Sequence, residues 1–354
     1  MRSRAAVGSF CLLALGAACP AAAPPDGDEP FADENLAFRF EPIEVSGVTP
    51  RWGATVASGH VLGGVDDELE VSDEIVTLSL GDAALAGAIT GALDVARFCA
   101  CAFFDERRQE LVMIGGRNRQ MRDEGSAVLV ELDTGTTVAL GDGGPVDHPI
   151  GCHAFFSSTV DRGYVYGGAN GSGFTSDTWR WDPEARTFTL LDIEGPPGRY
   201  DAGLVPLADG GALLASGMGM SSFAIKFQKD VWRFDATAER WTELAAGADP
   251  APPGRRYPWL ALSPDEGTLI LGYGSDSSRG ESVLDDLWQL DLSAGSWSEV
   301  DLEGERPSAR GFTYRLPGPA GSAGVLAFGS DAELNVHEDA FTLVVPDALA
   351  GEWR

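Results

Sequence analysis

Short, unbroken apolar runs recur along the chain, and each ends at glycine: "HVLGG", "LVMIGG", "YVYGG", "ALLASG", "TLILG" and "VLAFG". Four or five residues without alternation is the pattern of a strand buried on both faces. The glycine markers are Gly63-Gly64, Gly115-Gly116, Gly167-Gly168, Gly217-Met218-Gly219, Gly272-Tyr273-Gly274 and Gly329-Ser330. Their first members lie 52, 52, 50, 55 and 57 residues apart. A polar loop follows each run, then a strand such as Val231-Trp232-Arg233-Phe234, in which Trp232 and Phe234 share one face. A short turn, "DATAER", leads from there to another strand opening at Trp241.

The later half repeats itself openly: "SDTWRWDPEARTFTLL" (176–191), "KDVWRFDATAERWTEL" (229–244) and "DDLWQLDLSAGSWSEV" (285–300). Ahead of each apolar run another strand opens after Pro and Arg, as in "TPRWGAT", "PPGRYDAGL", "PPGRRYPWL" and "PSARGFTY". The third copy has Pro149 where that Arg belongs. Four strands per unit, at a period near 50 residues, predict an all-β chain of six units stacked about an axis: a six-bladed β-propeller with four antiparallel strands per blade. A unit of this kind cannot bury both faces alone, which explains the repetition. The last copy lacks an outer strand. "FEPIEVSG" fits that slot, because Phe40 precedes Arg51 by the same eleven residues that separate Phe188 from Arg199. The expected ring is therefore closed by the N-terminal strand pairing into the last blade, with the C-terminal "GEWR" as the competing strand.

The glycine pair, the "D-x-W-x-x-D" strand, the second Trp nine residues later and "P-x-x-R" together resemble kelch repeats, over residues 38 to about 345. Three copies have degenerate glycine pairs, and copies one, two and six lack the strand Trp. The resemblance implies a propeller whose ligands meet the face carrying the loops between second and third strands, here 65–72, 117–125, 169–176, 220–228, 275–284 and 331–338. Kelch blades serve both binding scaffolds and enzymes, so fold alone leaves function open.

Charge narrows the choice of partner. Acids number 54 against 25 bases, a net charge of −29, and the lysines are Lys226 and Lys229. Nucleic acid and anionic membrane both call for basic surface, so neither is an expected partner. Within the loops, however, bases cluster: Arg117, Arg119 and Arg122 beside Asn118, then Lys226 and Lys229, then Arg279. Loops one and six are acidic instead, with Asp66, Asp67, Glu68, Asp331 and Glu333. An anion site follows as the candidate, with Asn170 and Phe174 near enough in sequence pattern to meet a sugar. Ordinary solvated loop charge is the alternative.

Residues 1–18 read as a signal peptide: Arg2 and Arg4 precede an apolar stretch too short to span a bilayer. "LGAAC" resembles a bacterial lipobox with Cys19 as the lipidated residue, and 19–37 reads as an acidic, Pro/Ala-rich tether ahead of the propeller at 38–354. The expected location is extracytoplasmic: an outer-membrane or periplasmic lipoprotein held only by its lipid, or a secreted monomer. Outside the cytoplasm Cys152 can pair with Cys99 or Cys101; small buried thiols and a metal site with His153 remain open. Histidines and tyrosines show no copper-ligand spacing of the galactose oxidase kind, no catalytic set can be assembled, and no cofactor is called for. The expected function is a binding scaffold that recognises a protein or glycan through its rim loops. The alternatives are an enzyme on an acidic sugar, as in bacterial six-bladed sialic-acid epimerases, with the loop-two arginines holding the carboxylate, or a structural surface protein.

Overall fold

The computed structural model describes residues 37–354 except 82–83, 142–143, 146, 148–149, 222–223, 246–248 and 280. The signal segment, Cys19, the tether up to residue 36, His148 and Pro149 lie outside the described residues. The unit from Asn35 to Arg354 is all-β. Its described residues hold many small antiparallel sheets and a single helical turn, Asp347–Leu349.

Each sequence copy becomes a meander of neighbouring strands. Copy two pairs Cys101–Asp105, Glu110–Ile114, Ala127–Glu131 and Thr136–Leu140 in that order, and copies three, four and five do the same in sheets of their own. The first and last copies belong to one nine-stranded sheet. They join through Phe38–Ser46, which runs antiparallel to Ala340–Val344 with Phe40 opposite Leu343. The far end of that strand lies parallel to Ala84–Ala86, and its start lies beside Leu302–Glu303. The C-terminal "GEWR" goes elsewhere: Arg354 exchanges both backbone hydrogen bonds with Leu262, on the first strand of copy five.

The apolar runs are buried throughout, as in Glu110–Ile114 and Ala212–Ala215, because each is covered on both faces. Six apolar clusters do the covering, and each is shared by two copies. Ile75 packs with Met113, Ile114 with Trp181, Tyr166 with Leu214, and Ala215 with Leu271. Ile270 packs with Leu326, and Val325 packs with Val61 and Val76 of the first copy. Each such side chain is worth roughly 1.5–3 kcal/mol when fully withdrawn from water.

Polar links repeat in the same places. The buried guanidinium of Arg199 forms two hydrogen bonds to Asp230, at 2.6 and 2.8 Å. Arg255 does so with Asp286 at 2.5 and 2.8 Å, and Arg310 with Asp339 at 2.5 and 3.3 Å. The repeated Trp completes the clamp: Trp232 and Trp288 each donate their indole N–H to the same carboxylate, at 2.8 Å. The backbone carbonyl of the Arg then accepts from the glycine turn of the preceding copy, as in Gly217 N to Arg255 O at 2.8 Å.

One correction concerns that turn. The left-handed pair is Gly63-Gly64, Gly115-Gly116 and Gly167-Gly168, but then Ser216-Gly217, Tyr273-Gly274 and Phe328-Gly329. The glycines at 219 and 272 are outside it, and Ser330 follows it. At Gly63 a Cβ would stand 2.0 Å from Arg97 O, so glycine is required there. Ser216 tolerates the slot with φ 65° while its hydroxyl reaches Gln228 O and Arg255 O, at 2.9 and 3.0 Å.

Candidate functional site

Two residues beyond the repeat's Arg position, which copy three fills with Pro149, every copy places a residue with left-handed backbone: Gly53, Cys99, Gly151, Asp201, Tyr257 and Phe312, with φ between 50° and 64°. Non-glycine residues held this way cost about 1–3 kcal/mol each and cluster at functional positions. Backbone hydrogen bonds run from one to the next. Cys99 N donates to Gly53 O at 2.7 Å, Gly151 N to Cys99 O at 2.8 Å, Asp201 N to Gly151 O at 2.9 Å, and Tyr257 N to Asp201 O at 2.7 Å. A Cβ on Gly151 would stand 2.1 Å from Asp201 Oδ1, so the carboxylate fills the space that glycine leaves. This level forms a neck. Cys99, Tyr257 and Phe312 line the cavities on both sides of it.

Above the neck, towards the loops between second and third strands, is a pocket of about 410 Å³. Its walls are aromatic. Phe174 stacks on Tyr200 with centroids 5.2 Å apart, and Trp52 packs edge-on to Phe98 at 5.3 Å. The buried indole N–H of Trp52 has no acceptor among the described residues. Arg256 rises from the neck between two rings, 4.9 Å from the centre of Tyr200 and 4.7 Å from that of Tyr257. Its Nε and Nη2 donate to Asp201 Oδ2 at 2.9 and 2.7 Å, and Nη1 donates to Ser278 O at 3.0 Å. Burial opposes the charge on Arg256, but Tyr257 and Asp201 outweigh it and raise its pKa. Burial also lifts Asp201 above the usual carboxylate range against the pull of Arg256. Burial, with Asp201 adding to it, pushes the Cys99 thiol and the Tyr200 phenol each up to about 12.

The loop residues singled out from sequence divide into two groups. Arg117, Asn170, Phe174 and Arg279 line this pocket. Arg117 Nε is 3.0 Å from Asp123, whereas Arg279 is exposed and 3.8 Å from Glu281. Asn118, Arg119, Arg122, Lys226 and Lys229 are not among the lining residues. Asn118 shapes its own turn, accepting from Gln120 N and Arg122 N at 2.9 and 3.2 Å. Arg119 turns outward to Val71 O at 3.0 Å, and Arg122 is exposed. Lys226 and Lys229 are exposed, the former on the ribbon Met218–Ser221 with Ala224–Phe227. Sequence reasoning missed Arg256, Tyr200, Tyr257, Trp52 and the neck. Position after the repeat's Arg would have found them, had the copies been compared at that column.

The cysteines and His153 hold the scaffold. Cys101 and Cys152 form a disulfide between the first strands of copies two and three, and Cys99 keeps its thiol. His153 Nε2 accepts from Ala202 N at 2.7 Å while Nδ1 faces Tyr166 O at 3.1 Å, so the neutral ring ties copy three to copy four. No group of three or more metal-ligating side chains occurs among the described residues.

All-β composition, small meanders and a shared axial neck define a propeller-like fold. The solved structure of YjhT is similar at TM-score 0.65 and 18% identity, covering 86% of this chain and 98% of its own. No family model and no curated protein matches the chain.

Proposed function

We propose that the chain is a six-bladed, kelch-type β-propeller, closed by its N-terminal strand, which binds a small anionic glycan unit in the pocket above the neck. The observation that carries this is the pocket's make-up: aromatic walls with guanidinium groups from Arg117, Arg256 and Arg279 among them. Aromatic faces accept the apolar face of a sugar ring, and guanidinium forks accept its carboxylate. A concave pocket of this volume favours a small ligand over the flat contact of a protein partner.

Binding fits better than catalysis. Asp201 is the carboxyl with a raised pKa, but it sits at the neck, occupied by Arg256. The lining carboxylate Asp331 is engaged by its own loop, accepting from Glu333 N and Asn335 N at 2.9 Å each. The described lining residues therefore offer no carboxylate free to face the ligand. An extracytoplasmic location, with Cys19 as the lipid attachment, belongs to the same proposal. The Cys101–Cys152 disulfide supports it, since such bonds persist mainly in oxidising compartments.

A thermal-shift titration tests the assignment, using sialic acid, uronic acids, their neutral counterparts and phosphate. An acidic sugar at 100 times its Kd is expected to add roughly 2.7 kcal/mol of stability. The gain is expected to disappear in an Arg117→Gln/Arg279→Gln variant. A gain that is equal for neutral sugars, or that survives in the variant, counts against an anion site at this pocket.

A further inference from the structure

Below the neck lies a second cavity of about 570 Å³, lined by the first strands of the copies and by Trp353 and Arg354. Three residues past the neck position, successive copies contribute Val56, Ala102, Ala154, Leu204, Leu260 and Arg315, all of them lining residues. Five of these levels are filled by small or aliphatic side chains, and the sixth by a guanidinium. One residue past the neck the other copies have Ala, Cys or Pro, and copy six has Thr313. Thr313 and Arg315 are two apart on one strand edge and so share a side.

Neither group is satisfied by protein. Thr313 Oγ1 and Arg315 Nε are buried without a hydrogen-bond partner among the described residues. Nη2 of Arg315 reaches only Ala323 O, at 3.4 Å, and no carboxylate forms an ion pair with it among the described residues. Arg354, the other guanidinium here, is paired with Glu266 at 2.6 Å. Every repeat arginine shows the opposite behaviour: Arg199, Arg255 and Arg310 are all clamped by carboxylates. Burial alone pushes the Arg315 pKa down to about 10. A withdrawn cation without a counter-charge is costly, and the usual remedy is an anion.

We propose that this chamber is a second binding site, for a small carboxylate with a compact apolar body. Its carboxylate is paired by the Arg315 guanidinium, and its body lies against Val56, Leu204 and Leu260. The site differs from the pocket above the neck in its walls, its cation and its ligand class, and it stands independently of the function proposed there.

Calorimetric titration with benzoate, acetate and the neutral benzyl alcohol tests it. The proteins are the wild type, Arg315→Met and Arg117→Gln/Arg279→Gln. Benzoate is expected to bind the wild type and the double variant alike, and to bind Arg315→Met at least about tenfold more weakly, a change of about 1.4 kcal/mol. Benzyl alcohol is expected to bind neither. Without ligand, Arg315→Met is expected to be as resistant to urea as the wild type or more so, because a buried, unpaired charge has gone. Three results overturn the proposal: no benzoate binding by the wild type, undiminished binding by Arg315→Met, or loss of binding in the double variant instead. A ligand-free Arg315→Met protein markedly less stable than the wild type also overturns it, by making Arg315 a packing residue.

Discussion

At the scale of single residues, backbone conformation decides more than side-chain type. The neck column reads Gly, Cys, Gly, Asp, Tyr, Phe, and nothing in those letters announces a shared position. What they share is a left-handed φ, and backbone hydrogen bonds link five of them, from Gly53 to Tyr257. His153 illustrates how burial then fixes chemistry. Burial lowers its pKa from 6.5 to about 4, against the Tyr166 carbonyl, which favours the charged form. The folded value is the lower one, so the unfolded chain takes up the proton first. This residue's contribution to stability is complete above pH 6.5 and is lost as pH falls towards 4, at about 1.4 kcal/mol per pH unit. Urea titrations of wild type and His153→Gln at pH 7 and 4.5 are expected to show the gap between them shrinking by about 2–3 kcal/mol. A gap that does not change with pH contradicts a neutral, buried His153.

At the scale of elements, the strands were largely legible and the rim was not. Apolar runs such as "LVMIGG" fall where the glycine signals put them, because each is covered on both faces, and the Trp-bearing strands follow as partly buried ones. The glycine register slipped in the later copies, since Ser216, Tyr273 and Phe328 take a conformation that sequence associates with glycine. Loop charges said little about direction: Arg119 points at a neighbouring carbonyl, while Arg117 and Arg279 line the pocket. The repeat's Arg, read as a marker of strand openings, is a clamp. Removing Arg255 leaves the half-buried Asp286 carboxylate with the Trp288 indole but no counter-charge, and takes a donor from the carbonyls of Pro253 and Tyr273. Arg255→Leu is expected to cost roughly 3–5 kcal/mol by urea unfolding. A cost below about 1 kcal/mol would mean that the pair is no more than a surface ion pair.

At the scale of the whole molecule, the first and last copies meet through one strand that carries the N-terminal part of the described chain. Phe38–Ser46 pairs with Ala340–Val344, and Phe40 sits edge-on to Tyr273 and Phe341, at 5.9 and 6.3 Å. Each copy gives one residue to the neck, so its geometry depends on every interface. A chain lacking residues 38–46 is expected to lose the single cooperative unfolding transition of the full protein in calorimetry and to expose the edge of Ala340–Val344 to aggregation. An unchanged transition contradicts closure by that strand. The pocket above the neck depends on the same arrangement, since Trp52, Tyr200, Arg256 and Phe312 come from four different copies.

The most direct test of that pocket is a crystal structure of the protein soaked with an acidic monosaccharide. The sugar is expected above the neck, its carboxylate within hydrogen-bond distance of Arg117, Arg256 or Arg279, and its ring against Tyr200, Phe174 or Trp52. Sugar bound on the outer surface, or a neutral sugar seated identically without using the arginines, would contradict that expectation.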